Sequence, residues 1–162
     1  MIVLAFVFCS ATSLSMPALA ADTACGAVQT TMRKLNEAPK VHLAVRVVND
    51  GFGYSSSGQA VLINTKQYHS VEGGPWHVNK RVYISPESVR NCEFIRRETL
   101  EGVATSLYRY ERLYDQQTDR IEIWISANTG LPVQSHFTAI SPKNGAERHL
   151  KYSYGSGIKE PI

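Results

Sequence analysis

The chain has 162 residues and a mass of 18.0 kDa, and 15 of its first 20 residues are apolar with no charge among them. The 142 residues that follow carry about 39% apolar residues, all 17 Lys and Arg and all 14 Asp and Glu; this suits one globular domain over 21–162 and excludes collagen-like, coiled-coil and largely disordered chains. The formal net charge is +3, and the basic pairs Arg33-Lys34, Lys80-Arg81 and Arg96-Arg97 are scattered among acids, so no electrostatic footprint for nucleic acid is present.

Residues 1–20 read as a cleaved signal peptide. An apolar run from Met1 to Phe8 gives way to small and hydroxylic residues and then to Ala18-Leu19-Ala20, whose small side chains suit cleavage after Ala20. Ser10, Thr12, Ser13 and Ser15 interrupt the run before it reaches the roughly 20 apolar residues that cross a bilayer, so no stable membrane span is expected. Cys25 and Cys92 remain after cleavage, an even count without metal-ligand spacing. In the oxidising surroundings of an exported chain this favours one disulfide, the alternative being two separately buried thiols.

From Thr23 to Asn36 the apolar residues Cys25, Val28, Met32 and Leu35 recur at helical steps, with Asp22 or Thr23 as cap, Pro39 as stop, and Gln29, Arg33 and Asn36 on a wet face. Val41 to Val47 alternates as a strand and ends at Asn49-Asp50-Gly51. Short strands are expected over 59–65, 67–71, 76–78 and 82–84. Ser85-Pro86 then predicts a short second helix over 86–91. Four longer strands, 103–114, 119–126, 131–140 and 147–154, are separated by brief turns that force antiparallel neighbours. Residues 155–162 read as a frayed tail. The fold class is α+β and mostly β: a curved antiparallel meander with one apolar face, covered by the N-terminal helix and the short second helix.

The runs Glu98-Thr99-Leu100-Glu101-Gly102-Val103, Leu107-Tyr108-Arg109-Tyr110, Ile121-Glu122-Ile123-Trp124-Ile125-Ser126 and Thr129-Gly130-Leu131-Pro132-Val133, in that order, resemble the lipoprotein-localisation superfamily of LolA-, LolB-, LppX- and RseB-like periplasmic proteins. The resemblance implies an unclosed antiparallel half-barrel whose helix-covered face holds acyl chains, and a periplasmic location. It covers most of the chain beyond the leader.

No catalytic constellation is evident. His42, His69, His77, His136 and His149 lack local metal-ligand spacing, Ser55-Ser56-Ser57-Gly58 lacks a nucleophile elbow, and Gly51-Phe52-Gly53 lacks the context of a phosphate loop. Neither an enzyme, a metal nor a cofactor is expected. The expected function is an exported periplasmic binding protein that carries or senses an apolar or acylated ligand, lipid or lipoprotein-like, in a sheet–helix cavity. The alternative is a non-enzymatic envelope accessory or sensor module that binds a protein partner. Val28, Met32 and Leu35 would cover a face made by Leu43, Val45, Ile123, Val133 and Phe137, with Trp76 as a lid or a core plug. Tyr108, Tyr110 and Tyr114 share one strand parity, as do Tyr152 and Tyr154. They read either as cross-strand packing or as the rim of a groove.

Overall fold

The structure, a computed structural model, describes residues 18–50, 52–141 and 145–162. Residues 1–17 of the expected leader lie outside them. A helix α1 (Ala18–Glu37) precedes four strands, β1 (Lys40–Asn49), β2 (Ser56–Ile63), β3 (Lys66–Val71) and β4 (His77–Lys80). After a single 3₁₀ turn (Pro86–Ser88) come β5 (Val89–Leu100), β6 (Val103–Tyr114), β7 (Gln117–Ser126), β8 (Pro132–Ser141) and β9 (Glu147–Tyr154). They form one sheet in the order β4-β3-β2-β1-β9-β8-β7-β6-β5, with β4 and β5 as its edges among the described residues. Every neighbouring pair is antiparallel. Among the described residues no helix is long and apolar enough to cross a membrane.

The sheet is thus two meanders, β1–β4 and β5–β9, zipped together by β1 against β9. The register Val41↔Tyr154, Leu43↔Tyr152 and Val45↔Leu150 keeps the apolar parity of both strands on one face. That face carries α1. Val28, Met32, Tyr110, Ile121, Ile123 and Phe137 form its main core, and Leu35, Val41 and Leu62 form a second cluster beside it. The helix starts earlier than expected, at Ala18, because the alanines before Asp22 are strong helix formers; Asp22 and Thr23 are therefore inside it, not at its cap. It ends at Glu37, two residues before the expected stop at Pro39. There Lys34 Nζ donates to the Thr129 carbonyl (2.9 Å) and ties the helix to the β7–β8 turn.

Cys25 and Cys92 form a disulfide, with Cα atoms 5.0 Å apart. A bulge makes the pairing possible. Strict alternation from the buried Val89 would send Cys92 to the outer face, but Asn91 at φ 53° is an extra residue between the Arg90↔Glu111 and Glu93↔Arg109 pairs. The extra residue reverses the parity and aims Cys92 at the helix. The β5–β6 turn places Glu101 and Gly102 at φ 51° and 82°, a two-residue hairpin in which glycine meets the positive φ without a Cβ clash.

Several expectations are corrected. Residues 82–84 form no strand, and the second helix is only the Pro86–Ser88 turn before β5 begins. Residues 81–88 instead form an extended strap that leaves one edge strand, passes along the helix side and enters the other. Its Ile84 packs against both clusters beneath α1. Asn36, assigned above to the wet face, is half-buried: its side chain donates to the Ile84 carbonyl (2.7 Å) and accepts from the Ile84 N–H (3.0 Å). The C-terminal tail is not frayed. Lys40 Nζ donates to the carbonyls of Ser156 and Ile158, and Ile158 packs on the outer face against Val61, Ile63 and Tyr68.

Candidate functional site

At the C-terminal end of α1 the helix, the strap and the sheet do not close completely. They leave a cavity of about 250 Å³ whose apolar wall is made by Leu35, Leu43, Val45, Leu62, Phe137 and Leu150. The local sequence explains the gap. Toward its end the helix offers the sheet only Leu35, and the strap contributes Ile84 but exposes Val82 and Tyr83. Nearer the disulfide, Val28 and Met32 are 0% and 1% exposed and fill their half of the interface.

Arginines reach this apolar space. The Arg81 side chain donates from Nη2 to the Leu35 carbonyl (2.7 Å) and from Nη1 to the Ala38 carbonyl (2.9 Å), so a buried cation satisfies the last carbonyls of the helix where its dipole is negative. Burial lowers the Arg81 pKa from its ordinary value. Arg112 and Arg148 place their guanidinium carbons 5.4 and 5.6 Å from the centre of the Phe137 ring. Both also face Asp119, at 3.8 Å from Arg112 and 3.2 Å from Arg148. Deeper in, Tyr152 shares a 2.9 Å hydrogen bond with Ser135, and burial pushes its phenol pKa up. Tyr110 and Tyr154 are likewise raised by burial, and the Tyr154 hydroxyl donates to the Pro132 carbonyl (2.8 Å). These rings are core packing with satisfied tips at 152 and 154; Tyr114, at 62% exposed, faces solvent.

Of the residues expected to line a cavity, the structure brings Leu35, Leu43, Val45 and Phe137 together around this one. Val28, Met32 and Ile123 lie in the closed core beside it. Val133 is half-buried at the irregular start of β8 and is not among the lining residues. Trp76 is on the opposite face, packed on the cluster of Val61, Ile63 and Tyr68. These three side chains alternate in β2 and β3 with Leu62 and Gln67, which line the cavity. Arg112, Arg148 and Arg81 were not singled out from sequence. Their only signal is a charge at an inward parity, as in Arg112, two residues after Tyr110.

The outer face has a larger and more open hollow of about 990 Å³, lined by Ser57, Gln59, Gln134, His149, Lys151 and Trp76 among others. Its lining mixes these polar groups with Val45, Val47, Val48 and Leu150, and it lies broadly open to solvent, so it encloses an apolar ligand less completely than the cavity beneath α1. Beside it, cross-strand pairing sets His136 against His149, and with Glu147 their possible ligand atoms lie within 4.8 Å of one another. Local spacing could not show this cluster, because its members meet across two strands. The rings are stacked at 4.2 Å with 10° between their planes, so their in-plane lone pairs do not converge on one point as a metal would require.

No protein-family profile matches the sequence, and no curated protein matches it. Solved structures do. The lipoprotein LppX of Mycobacterium tuberculosis aligns with a TM-score of 0.59 at 12% identity, over 85% of this chain and 98% of that one. LprF from Mycobacterium bovis aligns with a TM-score of 0.52 at 14% identity, over 87% and 97%. The MucA/MucB complex of Pseudomonas aeruginosa aligns with a TM-score of 0.53 at 12% identity, over 85% of this chain and 59% of the matched chain. The resemblance read from the sequence therefore holds at the level of fold: the chain has the open, helix-covered half-barrel seen in LppX, LprF and MucB.

Proposed function

We propose that the chain is an exported, non-enzymatic binding protein of the periplasm that holds an apolar or acylated ligand between its sheet and α1. The observation that carries this reading is the 250 Å³ cavity at the helix end, walled by Leu35, Leu43, Val45, Leu62, Phe137 and Leu150 beside the closed core of Val28, Met32 and Ile123. A well-packed core leaves few voids larger than a water molecule, so a gap of this size needs a reason. The volume lies just below the roughly 300 Å³ at which ligand pockets usually begin, which suits one chain and not several. The disulfide agrees with an oxidising compartment, and the fold is shared with the lipoprotein LppX.

A second reading, an envelope accessory or sensor module for a protein partner, draws support from the unpaired edge of the 12-residue β5 and its exposed Phe94. MucB, which shares the fold, is seen in a complex with MucA. Native mass spectrometry of the full chain purified without detergent separates the two. A lipid-mass adduct that organic extraction removes is expected. An unliganded mass, together with failure to bind an apolar fluorescent probe, would overturn the carrier reading and leave the partner-binding one.

A further inference from the structure

The cavity is apolar in its walls but cationic in its corner. Arg81, Arg112 and Arg148 all line it, and among the described residues the carboxylate paired with Arg112 and Arg148 is Asp119, whose side chain is 4% exposed. Three guanidiniums against one carboxylate leave a net positive charge beside a low-dielectric space, where an unpaired charge is costly.

The hydrogen-bond arrangement sharpens the imbalance. Asp119 is heavily used: Oδ1 accepts from Gln117, and Oδ2 accepts from Arg148 at 3.2 Å. Arg112 reaches that same Oδ2 at only 3.8 Å, beyond hydrogen-bonding distance. Among the described residues its Nε is buried with no hydrogen-bond partner, and the side chain is 16% exposed. Arg81 differs, since its fork is taken up by backbone carbonyls of the helix end. Arg112 is therefore the under-satisfied cation, and Arg148, with its side chain 43% exposed, stands nearer solvent.

We infer that this corner is a headgroup site: the cavity takes a single-chain amphiphile whose anionic oxygens are received by Arg112 and Arg148 while its hydrocarbon lies against Leu35, Leu43 and Phe137. The inference rests on the binding reading above and names the ligand class for it. A guanidinium offers a planar fork of donors that matches a carboxylate or phosphate, and an anion there would satisfy Arg112 without disturbing the Asp119–Arg148 pair. A cationic or zwitterionic head would meet net positive charge at the same point.

The test is calorimetric titration of the full, disulfide-intact chain with decanoate, decanol and decyltrimethylammonium, each below its micellar concentration. Decanoate is expected to bind at least tenfold more tightly than decanol, and the ammonium more weakly than either. Arg148→Gln should lower the decanoate-to-decanol affinity ratio at least fivefold, whereas Arg46→Gln on the outer face should leave the ratio as it is. Arg112→Met should lower it further; if that variant does not fold, the three-ligand series on the native chain still decides. Equal binding of the three ligands would overturn the headgroup site while leaving the apolar cavity standing. Binding of none would overturn both.

Discussion

Replacing Cys25 and Cys92 together by alanine removes the crosslink between α1 and β5. The bridge spans 67 residues, so the loss of the unfolded-state restriction corresponds to roughly 4 kcal/mol on the chain-entropy view. Alanine is the appropriate replacement because Cys92 is 6% exposed, and a serine hydroxyl there would add a desolvation cost of about 1–3 kcal/mol unrelated to the crosslink. Urea unfolding followed by tryptophan fluorescence should show a loss of about 2–4 kcal/mol, with a steeper denaturant dependence because the freed unfolded chain exposes more surface. The folded state should change much less. The cavity end of the helix is fastened independently, by Asn36 to Ile84 and by Arg81 to Leu35 and Ala38, so probe affinity in buffer should stay within about twofold of the native chain. A loss below about 1 kcal/mol would refute the crosslink's stabilising role. Abolished probe binding in a variant with native circular dichroism would refute the independence of the two helix ends.

Leu43→Phe extends a half-buried cavity residue into open space, so stability should change by less than about 1 kcal/mol instead of suffering the 1–3 kcal/mol of overpacking, while probe affinity falls at least fivefold; thermal melts and probe titration check both halves. Asn36→Ala removes both hydrogen bonds to Ile84 and leaves its half-buried backbone unsatisfied, a loss of about 1–3 kcal/mol in urea unfolding, with faster proteolysis between residues 81 and 88. The His149 pKa is lowered by burial first, then by His136 and Arg46, with Glu147 opposing. The unfolded chain therefore binds the proton more readily than the folded one. The stability His149 contributes is present above its ordinary pKa of 6.5 and is lost as pH falls from there through the depressed folded value. His149→Gln should flatten the slope of stability against pH between about 7 and 5, and an unchanged slope would refute the assignment.

The second half of the fold was legible in the sequence because short turns leave a strand no choice of neighbour. The runs 103–114 and 147–154 coincide with β6 and β9, and the shared parity of Ile121, Ile123 and Ile125 marks the helix-facing side. The β1–β9 pairing was not legible, since nothing local joins two strands about a hundred residues apart. Val82 and Ile84 read as a strand for a physical reason: β-branched side chains favour extended backbone, and composition cannot say whether a ladder partner exists. Asn36 read as solvent-facing because its partner is the Ile84 backbone, which no side-chain pattern reveals. The same limit applies to the candidate site. Leu35, Leu43, Val45 and Phe137 could be named from parity, but which part of an apolar interface stays open depends on how far one helix reaches, and Trp76 depends on which side a loop folds.

The strap that joins β4 to β5 also limits how far the molecule can dilate. It links the two free margins of the sheet, and the nine steps from Lys80 to Val89 reach at most about 30 Å when fully extended. Any cargo that spreads the sheet must draw this tether taut. The slack is held at Asn36 and Arg81, so tension arrives first at the C-terminal turn of the helix, while the disulfide keeps the other end pinned. On the binding reading proposed above, loading would pull on the C-terminal turn of α1 while the disulfide holds Cys25 in place. Amide exchange over residues 33–37 should quicken on loading while residues 24–28 stay protected, and uniform protection along the helix would show that the tether never tightens.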